Sequence, residues 1–182
     1  MKMLMMTCDN CPLKLNLKGY REPQVFGNPF SNLAIVVPYI DTENIEDDVG
    51  VKEVVQTISS TGGLEQSYII APMLQCSPTR LNGYEVAQSY YYDCLKRTMS
   101  KFSLAKKHIL LCGLEPSNII LSVTNINVWK DKVFKYAKQT ISITYSPRVK
   151  LIDENKGEVF TNDLIKWYNA AINDDYSAYE IL

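Results

Sequence analysis

Residues 68–94 read YIIAPMLQCSPTRLNGYEVAQSYYYDC. The first seven are almost wholly apolar and stop at a Gln-Cys-Ser-Pro turn, the pattern of a buried parallel strand. Beyond Gly83, from Glu85 onward, the spacing predicts a helix, with Val86, Tyr90, Leu95, Met99 and Phe102 available for one face. Cys76 therefore sits at the carboxyl end of a strand and Cys94 on the helix that follows. Two thiols placed in this way can face the same point.

The same strand-then-helix unit recurs on either side. Residues 33–38 (LAIVVP) form a continuous apolar run ended by proline. Val51, Val54, Val55 and Ile58 repeat at helical spacing and are stopped by Gly62-Gly63. Residues 108–113 (HILLCG) are a third buried strand, and residues 116–121 begin a short helix. Residues 140–145 (TISITY) are a fourth strand, running into Ser146-Pro147-Arg148. Leu164, Ile165, Trp167 and Tyr168 mark an amphipathic helix over residues 162–172. The segments between are read as connections: residues 39–50 as an acidic surface loop, residues 131–137 as a lysine-rich link. Residues 1–32 have little periodicity, so something must tie them down. Four short strands separated by helices predict one α/β domain over residues 1–182, a four-stranded parallel sheet inside three α/β/α layers. In such sheets ligands bind beyond the carboxyl ends of the strands. Those ends are Pro38, residues 74–77, Gly113 and residues 145–148.

A chain of 182 residues with 46% apolar content suits a single domain with its own core. Nineteen basic and 20 acidic residues leave a net charge of -1, so no global positive field exists and nucleic-acid binding would need a local patch. The single histidine, His108, rules out a His-rich metal site and disfavours a His-based triad. No apolar run approaches the roughly 20 residues of a membrane span, and residues 1–6 are too short for a signal peptide. The expected setting is a reducing compartment, cytoplasmic or nuclear, and not secreted. There the five cysteines read as ligands or buried thiols rather than disulfides. Cys8 and Cys11 form a C-x2-C pair. With Cys76 and Cys94 they supply four thiolates, which suit a tetrahedral zinc or a 4Fe-4S cluster. The plainer reading makes Cys76 and Cys94 buried thiols, as Cys112 inside its strand is expected to be.

The order of these cysteines carries a resemblance. A C-x2-C near the amino terminus, a cysteine just after a strand in a C-x-P context and a fourth after 17 intervening residues are similar to the family 4 uracil-DNA glycosylases. Cys11-Pro12-Leu13 fits that family's C-x-x-C-P-L opening, and Val25-Phe26-Gly27 its V-x-G approach to the first strand. Gln75-Cys76-Ser77-Pro78 fits its K-C-x-P segment, and Leu110-Leu111-Cys112-Gly113 its L-x-L-G strand. Thr144-Tyr145-Ser146-Pro147 fits its T-Y-H-P loop, and Asn162-Asp163-Leu164 the final V-x-x-D-L helix. The resemblance spans nearly the whole chain. It implies the glycosylase architecture and a structural 4Fe-4S cluster on Cys8, Cys11, Cys76 and Cys94, with zinc as the alternative.

The departures concern catalysis. The family's G-E-A-P-G loop is matched by Val37-Pro38-Tyr39-Ile40-Asp41, without the glycines and with the acid displaced. Its G-x-P-F-x-G segment, which stacks on uracil, has no counterpart. The asparagine of its I-T-N strand end falls on Ala71-Pro72, and the histidine of T-Y-H-P is Ser146. Base excision needs the base extruded, recognised and its developing charge stabilised. The expectation is a catalytically silent relative acting as a DNA-binding or scaffolding subunit of a replication or transcription complex, with a polymerase or similar protein as partner. Ser146, Pro147, Arg148 and Lys150 are the expected DNA contacts, since the family enters the duplex there; Lys130, Lys132, Lys135 and Lys138 precede that turn, and Lys96, Arg97, Lys101, Lys106 and Lys107 flank the cluster helix. Two alternatives stay open: an active glycosylase in which Asp41 or Glu43 activates water, and a protein-interaction module without DNA affinity. Consecutive Tyr90, Tyr91 and Tyr92 point about 100° apart on a helix, so at least one must be partly exposed. The acidic tail from Asp174 to Glu180 is expected to dock a partner or be disordered. Small size, an eroded pocket and heavy Asn, Lys, Ile and Tyr usage point to a viral source.

Overall fold

The computed structural model describes residues 23–76, 88–102 and 106–182. Cys8 and Cys11 lie outside them. The chain runs β1 (Phe26–Gly27), β2 (Leu33–Tyr39), α1 (Val49–Ser60), β3 (Ile69–Leu74), α2 (Gln88–Phe102), β4 (His108–Cys112), α3 (Leu114–Leu121), α4 (Ile126–Trp129), β5 (Lys132–Tyr136), β6 (Gln139–Thr144), α5 (Glu154–Asn173) and β7 (Glu180–Ile181). One sheet takes them in the order β1-β3-β2-β4-β6-β5-β7. Its centre, β3-β2-β4-β6, is parallel throughout, and these are the four strands expected from the apolar runs.

Alternation along β2 divides the core. Leu33, Ile35 and Val37, with Leu110 and Cys112 of β4, meet Val51, Val54 and Ile58 of α1 and Phe160, Leu164 and Trp167 of α5. Ala34 and Val36, with Ala71, Met73 and Leu111, meet Tyr91 and Leu95 of α2, bordered by Ile119 and Leu121 of α3. Helices therefore cover both faces, giving the three layers. Both strand prolines sit where a ladder donor is dispensable. β2 pairs with β4 only as far as Val36↔Leu111 and then continues through Pro38 to Tyr39↔Leu74, so Pro38 does not end the strand. Pro72 lies beyond the reach of β1, whose pairing with β3 stops at Phe26↔Ile70.

Several expectations change. Among the described residues the sheet has seven strands rather than four. The lysine-rich residues 131–137 are no mere link: they hold β5, which pairs antiparallel with β6 from Val133↔Ser142 to Tyr136↔Gln139. Lysines beside Val133 hid the strand, and lysine is what a near-edge strand uses to discourage foreign pairing. The inward stripe of α2 keeps the expected Leu95 and takes in Tyr91 and Thr98; Val86 and the side chains of Met99 and Phe102 lie outside the described residues. Tyr91 and Leu95 are buried, as is Thr98, while Tyr90 is half-buried and Tyr92 is 54% exposed. Helix α5 begins two turns before Asn162, with Asp153 capping it through Lys156 N–H at 3.1 Å. The tail is structural: Tyr176 and Tyr179 are buried in the α1/α5 core, and β7 runs parallel to β5. The acidic loop also holds one fully buried carboxylate, Asp48. Asp41 and Glu43 are exposed, as a solvated loop requires.

Candidate functional site

Two groups of site residues stand at carboxyl ends of the parallel strands. The first is at the end of β3. Gln75 follows its last residue and is 6% exposed; Cys76 comes next and is half-buried. Opposite, Cys94 is half-buried on the sheet-facing stripe of α2, one turn before the buried Thr98. Both cysteines border the same core cluster. A polar network joins them. Gln75 Nε2 donates to Thr98 Oγ1 at 3.2 Å, and Thr98 Oγ1 donates to the Cys94 carbonyl at 3.1 Å. Gln75 Oε1 accepts the Gln24 N–H at 2.9 Å while Nε2 donates to the Gln24 carbonyl at 3.2 Å. Gln24 in turn holds residues 43–45, accepting the Ile45 N–H at 2.7 Å and donating to the Glu43 carbonyl at 2.9 Å.

Among the described residues no group of three or more metal-ligating side chains comes together. Two of four candidate thiols lie on two segments tied together by hydrogen bonds. The chain leading from the other two, Cys8 and Cys11, enters at Gln24 against that same strand end. The buried Cys112 is of another kind: it lies within the opposite core, and burial pushes its thiol far up.

The second group surrounds the end of β6. Ser146 caps a 3-10 turn (Pro147–Leu151), its Oγ accepting the Arg148 N–H at 3.3 Å. The Arg148 guanidinium is hydrogen-bonded to Asp48 Oδ2 and lies over the Tyr39 ring, 4.6 Å from its centroid. Asp48 also caps α1, with Oδ1 accepting Gly50 N–H at 2.9 Å and Val51 N–H at 3.2 Å, and Oδ2 accepts Asp41 N–H at 2.8 Å. Burial raises the Tyr39 phenol pKa, against the lowering pull of Arg148. Tyr91, facing Glu115 and Tyr39, is pushed up to about 12, chiefly by burial.

β2 lies between β3 and β4, so the chain reverses direction across the sheet there, the usual place for a ligand crevice. Here it is closely filled. Gly113 has φ +101°, and a Cβ added to it would lie 3.0 Å from Pro38 Cγ and 3.4 Å from Ser146 Cβ. Lys150 pairs with Glu53 at 2.8 Å. Other expected phosphate contacts are engaged too: Lys130 with Asp131, Lys132 with Glu180, Lys107 with Asp174, and the buried Lys106 with the Pro29 carbonyl. Lys96, Lys135 and Lys138 are exposed. Beyond Lys150, Leu151 and Ile152 are 67% and 88% exposed.

Sequence reasoning missed Asp48, although an aspartate directly before V-G-V carries the N-cap signature. It also missed Gln75 and Thr98, which an apolar template discards as surface positions. The chain matches no protein-family model and no curated protein. Among the described residues no helix is long and apolar enough to cross a membrane.

Proposed function

We propose that this chain is a 4Fe-4S protein of uracil-DNA glycosylase-like architecture that has lost base excision and works as a DNA-binding or scaffolding subunit of a replication or transcription assembly. The observation that carries the reading is the junction of β3, α2 and the incoming chain. Cys76 and Cys94 flank a hydrogen-bonded core whose third member, Gln24, ends the segment bearing Cys8 and Cys11. Four thiolates drawn from three segments pin such a segment without a core of its own, which is what a structural cluster supplies when bound.

The loss of excision is supported by what occupies the crevice. Tyr39, the Arg148–Asp48 pair and the close approach of Pro38 to Gly113 crowd the strand ends where the resemblance puts an extruded base. Ser146 uses its oxygen as a turn cap and brings no imidazole. The DNA-binding part rests on the β6 turn. Two consecutive exposed apolar residues, Leu151 and Ile152, stand between Lys150 and Lys156, the composition of a wedge that enters a base step while cations meet the phosphates. A second reading, a protein-interaction module without DNA affinity, is favoured by the carboxylate partner that Lys150 already has.

Anaerobically purified protein should be brown, absorb broadly near 400 nm and hold about four irons per chain. Colourless protein with one zinc replaces the cluster with a zinc site. Gel-shift titration at low and moderate salt divides the other readings. Binding that weakens steeply with salt supports DNA contact, and no binding at low salt leaves the interaction module. Release of a base from any of a panel of damaged or uracil-containing duplexes would overturn the loss of excision.

A further inference from the structure

We infer that the amino end of the sheet, at the β5–β6 hairpin and the loop before β2, is a docking surface for single-stranded nucleic acid: Tyr136 and Phe30 take stacked bases, Lys135 and Lys138 the phosphates. It lies at the end opposite the Ser146–Lys150 turn and does not rest on the function proposed above. The hairpin closes at the pair Tyr136↔Gln139, so its loop is two residues, Ala137 and Lys138. Ala137 has φ +53°, where such loops usually place glycine. Alanine leaves the chain fewer conformations than glycine would, so the tip holds its neighbours stiffly. Tyr136 is 74% exposed there. Lys135 and Lys138 are exposed as well, and among the described residues neither holds a carboxylate in an ion pair. A lysine within β5 guards a strand edge, but Lys138 is in the loop and guards none.

The strand order brings a second ring to the same end. Phe30 precedes β2 and is 90% exposed, and its neighbour Pro29 is anchored through its carbonyl to Lys106 Nζ. β2 and β5 are three strand spacings apart, about 14 Å. The acids of the adjoining tail are already engaged. Lys107 bonds Asp174 at 2.6 Å and, with Lys135 assisting, holds its carboxyl below the ordinary range. Asp175 accepts the Ser177 N–H at 2.9 Å. Against Lys106, Lys107, Lys135 and Lys138 these two acids leave the corner positive. Two open aromatic rings with cations between them are what a strand with unpaired bases needs. Successive strand residues point to opposite faces, so Tyr136 offers its ring on one side of the tip and Lys135 its cation on the other. A single strand laid across the tip uses both. A duplex, with its bases stacked inside, can use only the lysines.

The test is the anisotropy of a fluorescein-labelled oligothymidylate of about 15 nucleotides, titrated with the full chain from low to moderate salt, beside a duplex of the same length. Tyr136→Leu and Phe30→Leu should each weaken oligothymidylate binding about fivefold or more and leave duplex binding nearly unchanged. Lys135→Gln combined with Lys138→Gln should reduce the slope of log affinity against log salt by about 1.4, about 0.7 for each lysine. All four positions are exposed, so the variants should melt with the wild type, which separates a lost contact from a lost fold. Lys150→Ala, at the far end, should bind oligothymidylate as the wild type does; its effect on the duplex reads the β6 turn separately. Three results would overturn the assignment: no oligothymidylate binding at low salt, ring variants that bind as tightly as the wild type, or a Lys150→Ala that loses as much as the hairpin variants. The first leaves the patch to an acidic protein surface, and the last gives the strand to the β6 turn.

Discussion

The carboxyl ends of β3 and β6 are both held by buried polar side chains, but with opposite chemistry. At β3 the holding groups are neutral, an amide and a hydroxyl that bond backbone and each other. At β6 they are charged, with Arg148 on the fully buried Asp48. A neutral strap fixes backbone positions and leaves the flanking Cys76 and Cys94 half-buried at the margin of the core. A charged clasp occupies the very group that sequence reading offered to a phosphate. Residue type alone therefore misjudges the second site. An arginine after a strand end reads as a ligand contact until its buried carboxylate is found.

The largest effect should come from breaking the clasp. Asp48→Ala removes the α1 cap, an acceptor for Asp41 N–H and the partner of a mostly buried guanidinium. Losing one side of such a pair costs roughly 3–5 kcal/mol, read as a lowered urea midpoint. Gln75→Ala, at the neutral end, should cost less, about 1–3 kcal/mol. Equal losses would erase the contrast between the two ends. Next is the crevice itself. Gly113→Ala places a methyl 3.0 Å from Pro38 at positive φ, and roughly 1–3 kcal/mol of destabilisation is expected. A neutral effect would mean that the crevice opens more readily than its contacts indicate.

The amino ends of the strands offer a third contrast, because the holding group there is a titratable histidine. His108 is buried, stacks on Tyr176 and has Nδ1 2.8 Å from the Tyr176 hydroxyl. Burial lowers its pKa below the ordinary 6.5; Asp174, 3.6 Å from Nε2, pulls it up, and Lys107 pushes it down. A lowered folded-state value means that the unfolded chain binds the proton more readily. Stability is then full above about pH 6.5 and is lost as pH falls from there through the folded value. His108→Gln should flatten this part of a stability–pH curve. A wild-type curve already flat between pH 7 and 5 would remove His108 from the account of how the tail is held.

The parallel centre of the fold was legible because β2, β3 and β4 are nearly continuous apolar runs, as buried parallel strands are written, and β6 alternates isoleucine with β-favouring threonine and serine. The added strands were not. β5 carries Lys132 and Lys135, and β1 and β7 have two residues each, too short for any period. The tail read as acidic because Asp174 and Asp175 dominate its charge, whereas Tyr176 and Tyr179 decide its burial. Spacing placed Cys76 at a strand end and Cys94 on the following helix, and both stand there. Gln75 and Thr98 were not found, since their inward position shows only once α2 is seen to turn Tyr91, Cys94 and Leu95 toward the sheet. Asp48 was lost among five acids of one loop; its N-cap position carries a local signal, but its bond across 100 residues to Arg148 carries none.

The smallest effect on the fold should be the most informative about DNA. Lys150 is 52% exposed and its bond to Glu53 is open to solvent, so Lys150→Ala should change stability by less than about 1 kcal/mol. If the β6 turn meets a duplex, the same change should weaken binding across all sequences and reduce the slope of log affinity against log salt by about 1. Arg148→Ala should do the reverse, destabilising the domain while leaving the slope nearly as it was, because its guanidinium is engaged by Asp48. Were Arg148→Ala to lower the slope and Lys150→Ala not, the clasp would have to open on DNA, and the charged end of the sheet would be the contact surface after all.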